Sequence, residues 1–224
     1  MFEVKDVKVS FKDKKVLKDV SFTVKKGKVY GVLGKNGAGK TTLFNTISNF
    51  LKYEGIIYLN NKKIKPNNIS YLKTEAYFYP YMKAYEYFTF FDSLDKTSIN
   101  LANIFDIPLD EYIHNFSTGM KKKTAIIANA ILKKPVLIMD EPFNGLDIES
   151  VEKLYLLIEK LKSQGTIILL SSHILETLQK CCDKIGYLDN GRIIKEYVKK
   201  EFNILEKDLR ESIKEDWNAL INNA

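Results

Sequence analysis

The sequence predicts an α/β protein built around a mainly parallel sheet. Three apolar runs do not alternate, which is typical of strands buried on both faces: Val29–Leu33, Val136–Met139 and Thr166–Leu170. Polar or glycine-rich residues follow each run at once, and helical patterns follow at Thr42–Leu51 and Ile148–Lys162. Because ligands of open α/β sheets bind beyond the carboxyl ends of the strands, these three ends predict a single site.

The N-terminal part shows a different pattern. Val7–Phe11 and Val20–Val24 alternate between apolar and polar residues, and Gly55–Leu59 precedes an Asn-Asn turn. These features predict an antiparallel sheet beside the parallel one. Between about residues 74 and 134 the strand signal disappears, and apolar and aromatic residues at helical spacing predict an inserted helical subdomain.

The C-terminal stretch Asn203–Leu220 predicts an amphipathic helix that packs against the body. Its apolar residues recur every four positions, and Asn203 and Glu206 are spaced like a capping box. We expect one domain over residues 1–224. Its catalytic core, with the antiparallel sheet, would occupy 1–73 and 135–200, the helical subdomain 74–134 and the C-terminal helix 201–224.

The composition is that of an ordinary folded protein, with 45% hydrophobic and 28% charged residues. No apolar run approaches the roughly 20 residues needed to cross a bilayer, and the N-terminus alternates too early for a signal peptide. We therefore expect a cytoplasmic protein unless another molecule holds it at a membrane. The adjacent Cys181 and Cys182 match no metal spacing, and we expect neither a disulfide nor a metal there.

The net charge of +7 comes almost entirely from lysines scattered in small clusters. We interpret them as a solvated surface, while contact with an anionic membrane or a nucleic acid stays open. No specific nucleic acid partner is expected.

The stretch Gly34–Thr41 fits the pattern G-x-x-x-x-G-K-T between a predicted strand and a predicted helix. Glycines let backbone N–H groups turn towards phosphate oxygens, and the helix start adds its positive end. Lys40 would reach the β- and γ-phosphates of ATP, and the Thr41 hydroxyl would hold Mg²⁺. The alternative is a turn that merely joins strand to helix. The nucleotide contacts expected here are Gly34, Asn36, Gly37, Ala38, Gly39, Lys40, Thr41 and Thr42.

Asp140, Glu141 and His173 follow the other two predicted strands. An aspartate at a buried strand end suits a Mg²⁺ ligand, and an adjacent glutamate can polarise an attacking water. A neutral His173 could contact the γ-phosphate, although a lone histidine is more often structural. The acidic pair could also cap a helix, but Pro142 and the glycine that follows argue against a helix starting there.

Together these motifs resemble the nucleotide-binding subunit of an ATP-binding-cassette (ABC) transporter over nearly the whole chain. The matches run in order: the Walker A loop at 34–42, the signature at 116–120, Walker B at 136–141, the D-loop at 144–147 and the switch histidine at 173. The resemblance implies a P-loop NTPase core and ATP and Mg²⁺ as ligands. Glu141 and His173 would then be the catalytic residues, with Thr41 and Asp140 at the metal.

In this family two cassettes enclose two ATP molecules head to tail. The resemblance therefore implies that Ser117 and Gly119 bind ATP held by the opposite subunit, in a homodimer or a heterodimer with a second cassette. Asp147 would lie at the subunit interface. Phe11 occupies the place of an aromatic that stacks on adenine, with a core strand residue as the alternative.

Lys121, Lys122 and Lys123 fall in the first turns of the predicted signature helix, where the helix dipole disfavours cations. A triphosphate nearby would offset this, and a solvated basic face is the alternative. The signature itself, FSTGM, keeps only the serine and the second glycine of the family's common form. A further departure lies at Thr74, where the family has a glutamine. Threonine is too short to reach Mg²⁺ and the attacking water as that glutamine would, whereas the adjacent Glu75 could replace it at the metal. Because the glutamine is missing, hydrolysis or its coupling could be unusual.

Two functions are compatible with these motifs. The first is the ATPase subunit of a transporter whose membrane-spanning subunit is a separate chain, which would hold this protein on the inner face of the membrane. The segment 77–91, YFYPYMKAYEYFTFF, resembles exporters of drugs, antibiotics and peptides, but it could equally be a packed core. The second is a soluble ABC ATPase without a transporter, serving for example iron–sulfur assembly or nucleic acids. A P-loop kinase is excluded because it has no use for a signature helix.

Overall fold

The structure, a computed structural model, describes residues 1–12, 14–91 and 95–221. Side chains at 212, 215, 216 and 218–221 also lie outside this description, including that of Leu220, the last residue of the predicted C-terminal helix. Within the described residues, a four-stranded antiparallel sheet has the order β2-β1-β4-β5. Its strands are β1 (Phe2–Phe11), β2 (Lys14–Val24), β4 (Glu54–Leu59) and β5 (Lys62–Lys63).

The second sheet has six strands among the described residues and is parallel except for one edge strand. In chain order its strands are β3 (Val29–Leu33), β6 (Ile69–Leu72), β7 (Val136–Met139), β8 (Ile167–Ser172), β9 (Lys184–Asp189) and β10 (Arg192–Val198). Their order across the sheet is β10-β9-β3-β8-β7-β6, with β10 antiparallel to β9. The predicted α/β fold with a mainly parallel sheet and an antiparallel N-terminal sheet is confirmed.

Two of the three predicted parallel strands have the predicted bounds, and β8 begins one residue later and continues through Ser172. The sequence reading missed β6, β9 and β10. The sequence does contain a signal for β9 and β10, since the dipeptide Asn190-Gly191 is typical of a tight hairpin turn. In the structure these two residues have φ values of 45° and 78° and connect the two strands. β6 is a four-residue strand whose pairing with β7 is its main support.

The helix after the first strand, α1 (Lys40–Ile47), begins two residues earlier and ends four residues earlier than predicted. Its end follows from the backbone, since Asn49 adopts a left-handed conformation with φ 63°. The next predicted helix is α5 (Ile148–Ser163), close to its predicted bounds. A short helix, α6 (Leu175–Cys181), follows β8. Cys181 and Cys182 are buried thiols.

Helices α2 (Ala84–Phe91), α3 (Lys96–Ile104) and α4 (Thr118–Ile131) occupy the region where strand signals disappear. Phe88, Phe105 and Ile113 are buried among them. The same hydrophobic cluster also contains residues of the parallel sheet, such as Leu72 and Met139. The helices are therefore packed on the sheet through a shared core, and the subdomain boundaries at 74 and 134 stay a prediction.

The C-terminal helix α7 (Phe202–Ile221) begins one residue before Asn203. The predicted capping box is therefore wrong, because Asn203 lies inside the helix and a short 3₁₀ turn at Lys199–Glu201 precedes it. The apolar stripe packs only at its start: Leu205 is buried, whereas Ile213 and Trp217 are 58% and 64% exposed. Only the first half of the helix packs as expected.

Candidate active site

The loop between β3 and α1 curls because its glycines adopt backbone conformations that other residues avoid. Gly37 and Gly39 have φ values of 83° and 111°. At Gly34 a side chain would collide with the backbone, since a Cβ there would lie 2.5 Å from the Leu188 carbonyl oxygen. Gly39 also stands at the N-cap of α1 and offers no side-chain hydrogen bond to the helix start. The first N–H groups of α1 thus remain available to an anion.

Lys40 is the buried cation of this loop, with 7% exposure. Its Nζ donates to the Gly34 carbonyl oxygen at 2.8 Å and lies 3.2 Å from Oε1 of Glu141. The ammonium group therefore connects the loop before α1 to Glu141, the second residue after β7. A phosphate oxygen in the loop would meet a positive charge already held in place.

Asp140 at the end of β7 is fully buried and hydrogen-bonded through both oxygens. Thr41 Oγ1 donates to its Oδ2 at 2.7 Å, and Ser171 Oγ donates to its Oδ1 at 2.5 Å. The Thr41 hydroxyl and the Asp140 carboxylate are oxygen ligands of the kind that Mg²⁺ prefers, and Mg²⁺ commonly takes only one or two protein carboxylates beside phosphates and water. The two predicted metal ligands therefore lie together and fit the ion. Ser171, which sequence reasoning missed, orients them from β8.

Glu141 lies between Lys40 and His173. Its Oε2 is 3.1 Å from His173 Nδ1, and its backbone N–H donates to Ser171 Oγ at 2.9 Å. The backbone of Glu141 is left-handed, with φ 50°, which is uncommon outside glycine. Tight local geometry thus aims the carboxylate at the loop before α1 and at the residue after β8.

Lys40, Thr41, Glu141 and His173 line one cavity of about 360 Å³. Four further predicted contacts from the loop and the start of α1 also line it: Asn36, Gly37, Gly39 and Thr42. Val16, Thr74 and Asn144 line the cavity as well, although they had not been predicted as contacts. Gly34 lies in the lining of a neighbouring cavity. Asn144 had a signal in the sequence, since it follows the acidic pair within the D-loop motif. Val16 had none, because it reaches the cavity from the antiparallel sheet. Ala38 is buried beneath the loop in the hydrophobic core.

Phe11 and Glu75 do not line this cavity. Phe11, at the end of β1 opposite Lys14, is 48% exposed, which does not fit the alternative of a core residue. Its stacking role stays a prediction. Glu75 lines a neighbouring cavity, while the shorter Thr74 borders both.

The signature residues lie beside the D-loop. Ser117 is the N-cap of α4, and its Oγ accepts a hydrogen bond from the Met120 N–H at 3.2 Å. A Cβ on Gly119 would lie 3.1 Å from the Gly145 carbonyl oxygen, so this close approach favours glycine. Asp147 caps α5 by accepting from the Ser150 N–H at 2.8 Å. Its predicted place at a subunit interface is not in conflict with this, because Asp147 is exposed.

The lysines after the signature do not form the solvated face considered above. Lys122 and Lys123 are only 8% and 9% exposed. Lys122 Nζ donates to the Thr74 carbonyl oxygen at 3.1 Å. The solvated alternative is therefore wrong for these two residues, since the helix packs them against the body of the protein.

Comparison with known proteins agrees with this geometry. A sequence profile described as "ABC transporter" matches residues 17–144. The chain belongs to the ABC transporter family. This cassette is 30% identical over 209 residues to the ABC transporter ATP-binding protein YtrB of Bacillus subtilis, covering 86% of this chain and 70% of that protein. It is 32% identical over 215 residues to the lantibiotic transport ATP-binding protein SrtF of Streptococcus pyogenes, covering 88% and 91%.

Among solved structures, one described as the ATP binding subunit of an ABC transporter superposes with a TM-score of 0.82 at 29% identity. The alignment covers 88% of this cassette and 90% of that chain. The predictions of an ABC cassette, of ATP binding and of ATPase activity are confirmed at the level of the family. Among the described residues, no helix of the cassette has the length and apolar character needed to cross a membrane.

Proposed function

We propose that this cassette binds MgATP in the cavity between Lys40, Thr41 and Asp140 and hydrolyses it with Glu141 as the general base. The observation that carries the proposal is the contact chain Lys40–Glu141–His173, which joins the carboxyl ends of β3, β7 and β8. Lys40 would bind the β- and γ-phosphates through its charge. Thr41 and Asp140 would hold Mg²⁺, which when bound offsets the charge of the phosphates.

In this proposal Glu141 accepts the proton of the attacking water. A carboxylate can do so only within hydrogen-bond reach of the water, and the contact with His173 fixes the direction of its second oxygen. The buried position of Glu141, 8% exposed, also strengthens its interaction with nearby charges. His173 would orient Glu141 and face the γ-phosphate.

The second half of each site would come from another cassette. Ser117 and Thr118 lie exposed at the start of α4, where a helix terminus favours an anion. A Cβ on Gly119 would lie 3.1 Å from the carbonyl oxygen of Gly145 in the D-loop. Two chains arranged head to tail would thus enclose two ATP molecules, with Asp147 near the interface. The available residues support a homodimer and a heterodimer equally.

We further propose that a separate membrane-spanning subunit holds the cassette at the inner face of the membrane, and that the transporter is an exporter. Export is supported by the similarity to SrtF, which is described as a lantibiotic transport protein. The helical region also presents exposed aromatic side chains: Tyr77, Tyr79, Tyr81 and Phe90 are 52–78% exposed. The ring of Tyr79 contacts two of the others, with centroids 5.3 Å apart for Tyr77 and Tyr79 and 6.4 Å apart for Tyr79 and Phe90. An exposed apolar surface of this kind is typical of a site that binds another protein or a membrane.

The Glu141→Gln variant tests the proposed sites. Glutamine keeps the shape of the side chain but cannot accept the proton, so ATP should bind without being consumed. We expect ATP, but not ADP, to shift this variant from monomer to dimer in light scattering. Adding Ser117→Arg should remove the shift while nucleotide binding, measured by calorimetry, remains.

Lys40→Ala is the matched control, since it should lose nucleotide binding and the shift together. Dimers of the Glu141→Gln variant that form equally without nucleotide would contradict the proposed role of Ser117 and Gly119. Unchanged ATP affinity in Lys40→Ala would contradict the nucleotide site itself.

A further inference from the structure

Lys122 is a buried cation that joins α4 to the loop after β6. Its side chain is 8% exposed, and its Nζ donates to the Thr74 carbonyl oxygen at 3.1 Å. The two residues are 48 positions apart in the chain. The hydrogen bond uses the backbone of Thr74, so it does not depend on which side chain occupies that position.

The position is costly for a lysine. Burial lowers the pKa of Lys122, while the charges of Asp140 and Glu141 act in the opposite direction. The positive end of α4 disfavours a cation in its first turns as well. Burying an ammonium group costs free energy that hydrogen bonds and nearby charges must offset, and an apolar side chain would avoid that cost. Packing alone therefore does not account for an ammonium group here.

The hydrogen bond connects two parts of the molecule that serve different sites. α4 begins with Ser117 and Gly119, and Thr74 lines the cavity of Lys40 and Glu141. We propose that Lys122 is a positioning residue that clamps the loop at Thr74 to α4, so that this wall of the cavity moves together with the signature helix. The clamp gives the loop a fixed position although it lacks the family's glutamine. That Lys122 thereby connects two ATP sites rests on the proposed function. The hydrogen bond that holds the loop to α4 does not depend on that proposal.

The clamp is tested by ¹⁵N relaxation of the full chain without nucleotide. In the wild type we expect backbone order parameters of about 0.85 at Thr74 and Glu75. Lys122→Met keeps the length of the side chain but removes the donor, so the order parameters should fall below about 0.6. Lys122→Arg retains a cationic donor and should restore most of the order. Lys121→Met is the matched control, because the Lys121 Nζ lies near His114 instead, 3.4 Å from its carbonyl oxygen.

Thermal melting separates a clamp from a general structural role. Lys122→Met should melt within a few degrees of the wild type, because the lost hydrogen bond and the avoided cost of burying a charge oppose each other. Unchanged order parameters in Lys122→Met, or a loss of order throughout the chain with a lower Tm, would overturn the proposal. If Lys122→Met does not fold, Lys122→Leu, which also lacks a donor, provides the same comparison.

Turnover gives a second readout. Lys122→Met should lower kcat about tenfold, with KM for ATP changed less than about twofold. If the wild type hydrolyses no ATP, the proposed function fails, while the order parameters still decide whether Lys122 clamps the loop.

Discussion

Single side chains at the ends of β7 and β8 set the chemistry of the cavity. Glu141 has a left-handed backbone, which costs a non-glycine residue roughly 1–2 kcal/mol. The hydrogen bond from its N–H to Ser171 and its contacts with Lys40 and His173 hold it there. Strain of this kind persists where the surrounding structure fixes it, as is common at active sites.

Thr74 and Glu75 occupy the place where the resemblance to the family predicts a glutamine. Thr74 borders the cavity, but its side chain is too short to replace a glutamine. The exposed Glu75 is long enough if the loop closes on a nucleotide. We predict that Glu75→Ala lowers ATP turnover at least about tenfold, while Thr74→Ala changes it less than about twofold, because only the carboxylate can reach metal and water.

Steady-state ATPase assays at saturating Mg²⁺ check this pair, and Glu176→Ala, an exposed carboxylate on α6, is the control. Equal, small effects of both variants would mean that the loop acts through its backbone or through a partner.

At the scale of elements, the starts of the helices divide the work. α1 begins at a glycine without a side-chain cap, so its N–H groups are free to meet phosphate. α5 begins at Asp147, whose carboxylate satisfies the helix itself. The start of α1 therefore suits phosphate binding, whereas the start of α5 is satisfied by its own cap.

The cap at Asp147 predicts a pH-dependent contribution to stability. Hydrogen bonds from the backbone N–H and then the hydroxyl of Ser150 lower the pKa of Asp147. A lowered folded-state pKa stabilises the fold above the unfolded value of about 3.9, and this contribution is lost as pH falls through the folded pKa. We expect Asp147→Ala to lower Tm by about 2–4 °C at pH 7, and the difference to shrink below pH ~4.

Thermal melts at pH 7, 5 and 3.5 measure this effect. Glu159→Ala removes an exposed carboxylate from the last turn of the same helix and should change Tm by less than about 2 °C. A difference for Asp147→Ala that stays constant down to pH 3.5 would show that the charge does not contribute.

At the scale of the whole molecule, the parallel sheet separates two hydrophobic clusters. One cluster joins its first face to the antiparallel sheet and α1, and the other joins its second face to the helical region and α7. The cavity lies at the carboxyl edge between them. The exposed rings of Tyr79 and Phe90 lie on the helical region.

This aromatic surface is the place where we predict that the proposed membrane-spanning subunit contacts the cassette. Tyr79→Ser with Phe90→Ser should reduce the fraction that sediments with membranes of its own cells by about tenfold, since each exposed ring contributes buried area at an interface. ATP binding by the purified chain should be unchanged. Leu156→Ser, which changes a 72% exposed residue on α5, is the control. Equal sedimentation of all three proteins would contradict a docking role for these rings.

The local features of this cassette could be predicted from the sequence. The loop at Gly34–Thr41, the buried strands β3 and β7 and the acidic pair after β7 were readable because each depends on residues next to one another. Glycine conformations, strand periodicity and the ends of strands are set within a few residues. The order of the motifs along the chain was sufficient to predict the family.

Contacts between residues that are distant in the chain became apparent only in the tertiary structure. Ser171 holds Asp140 from 31 positions away, and Val16 reaches the cavity from another sheet. Lys122 turned out to be buried against Thr74 instead of solvated, and Ile213 and Trp217 to be exposed instead of packed. These outcomes depend on which loops the sheet order brings together and on how far a helix extends past the body. The pattern of neighbouring residues does not predict such long-range contacts, because a lysine that becomes buried and one that stays solvated can occur in the same local sequence.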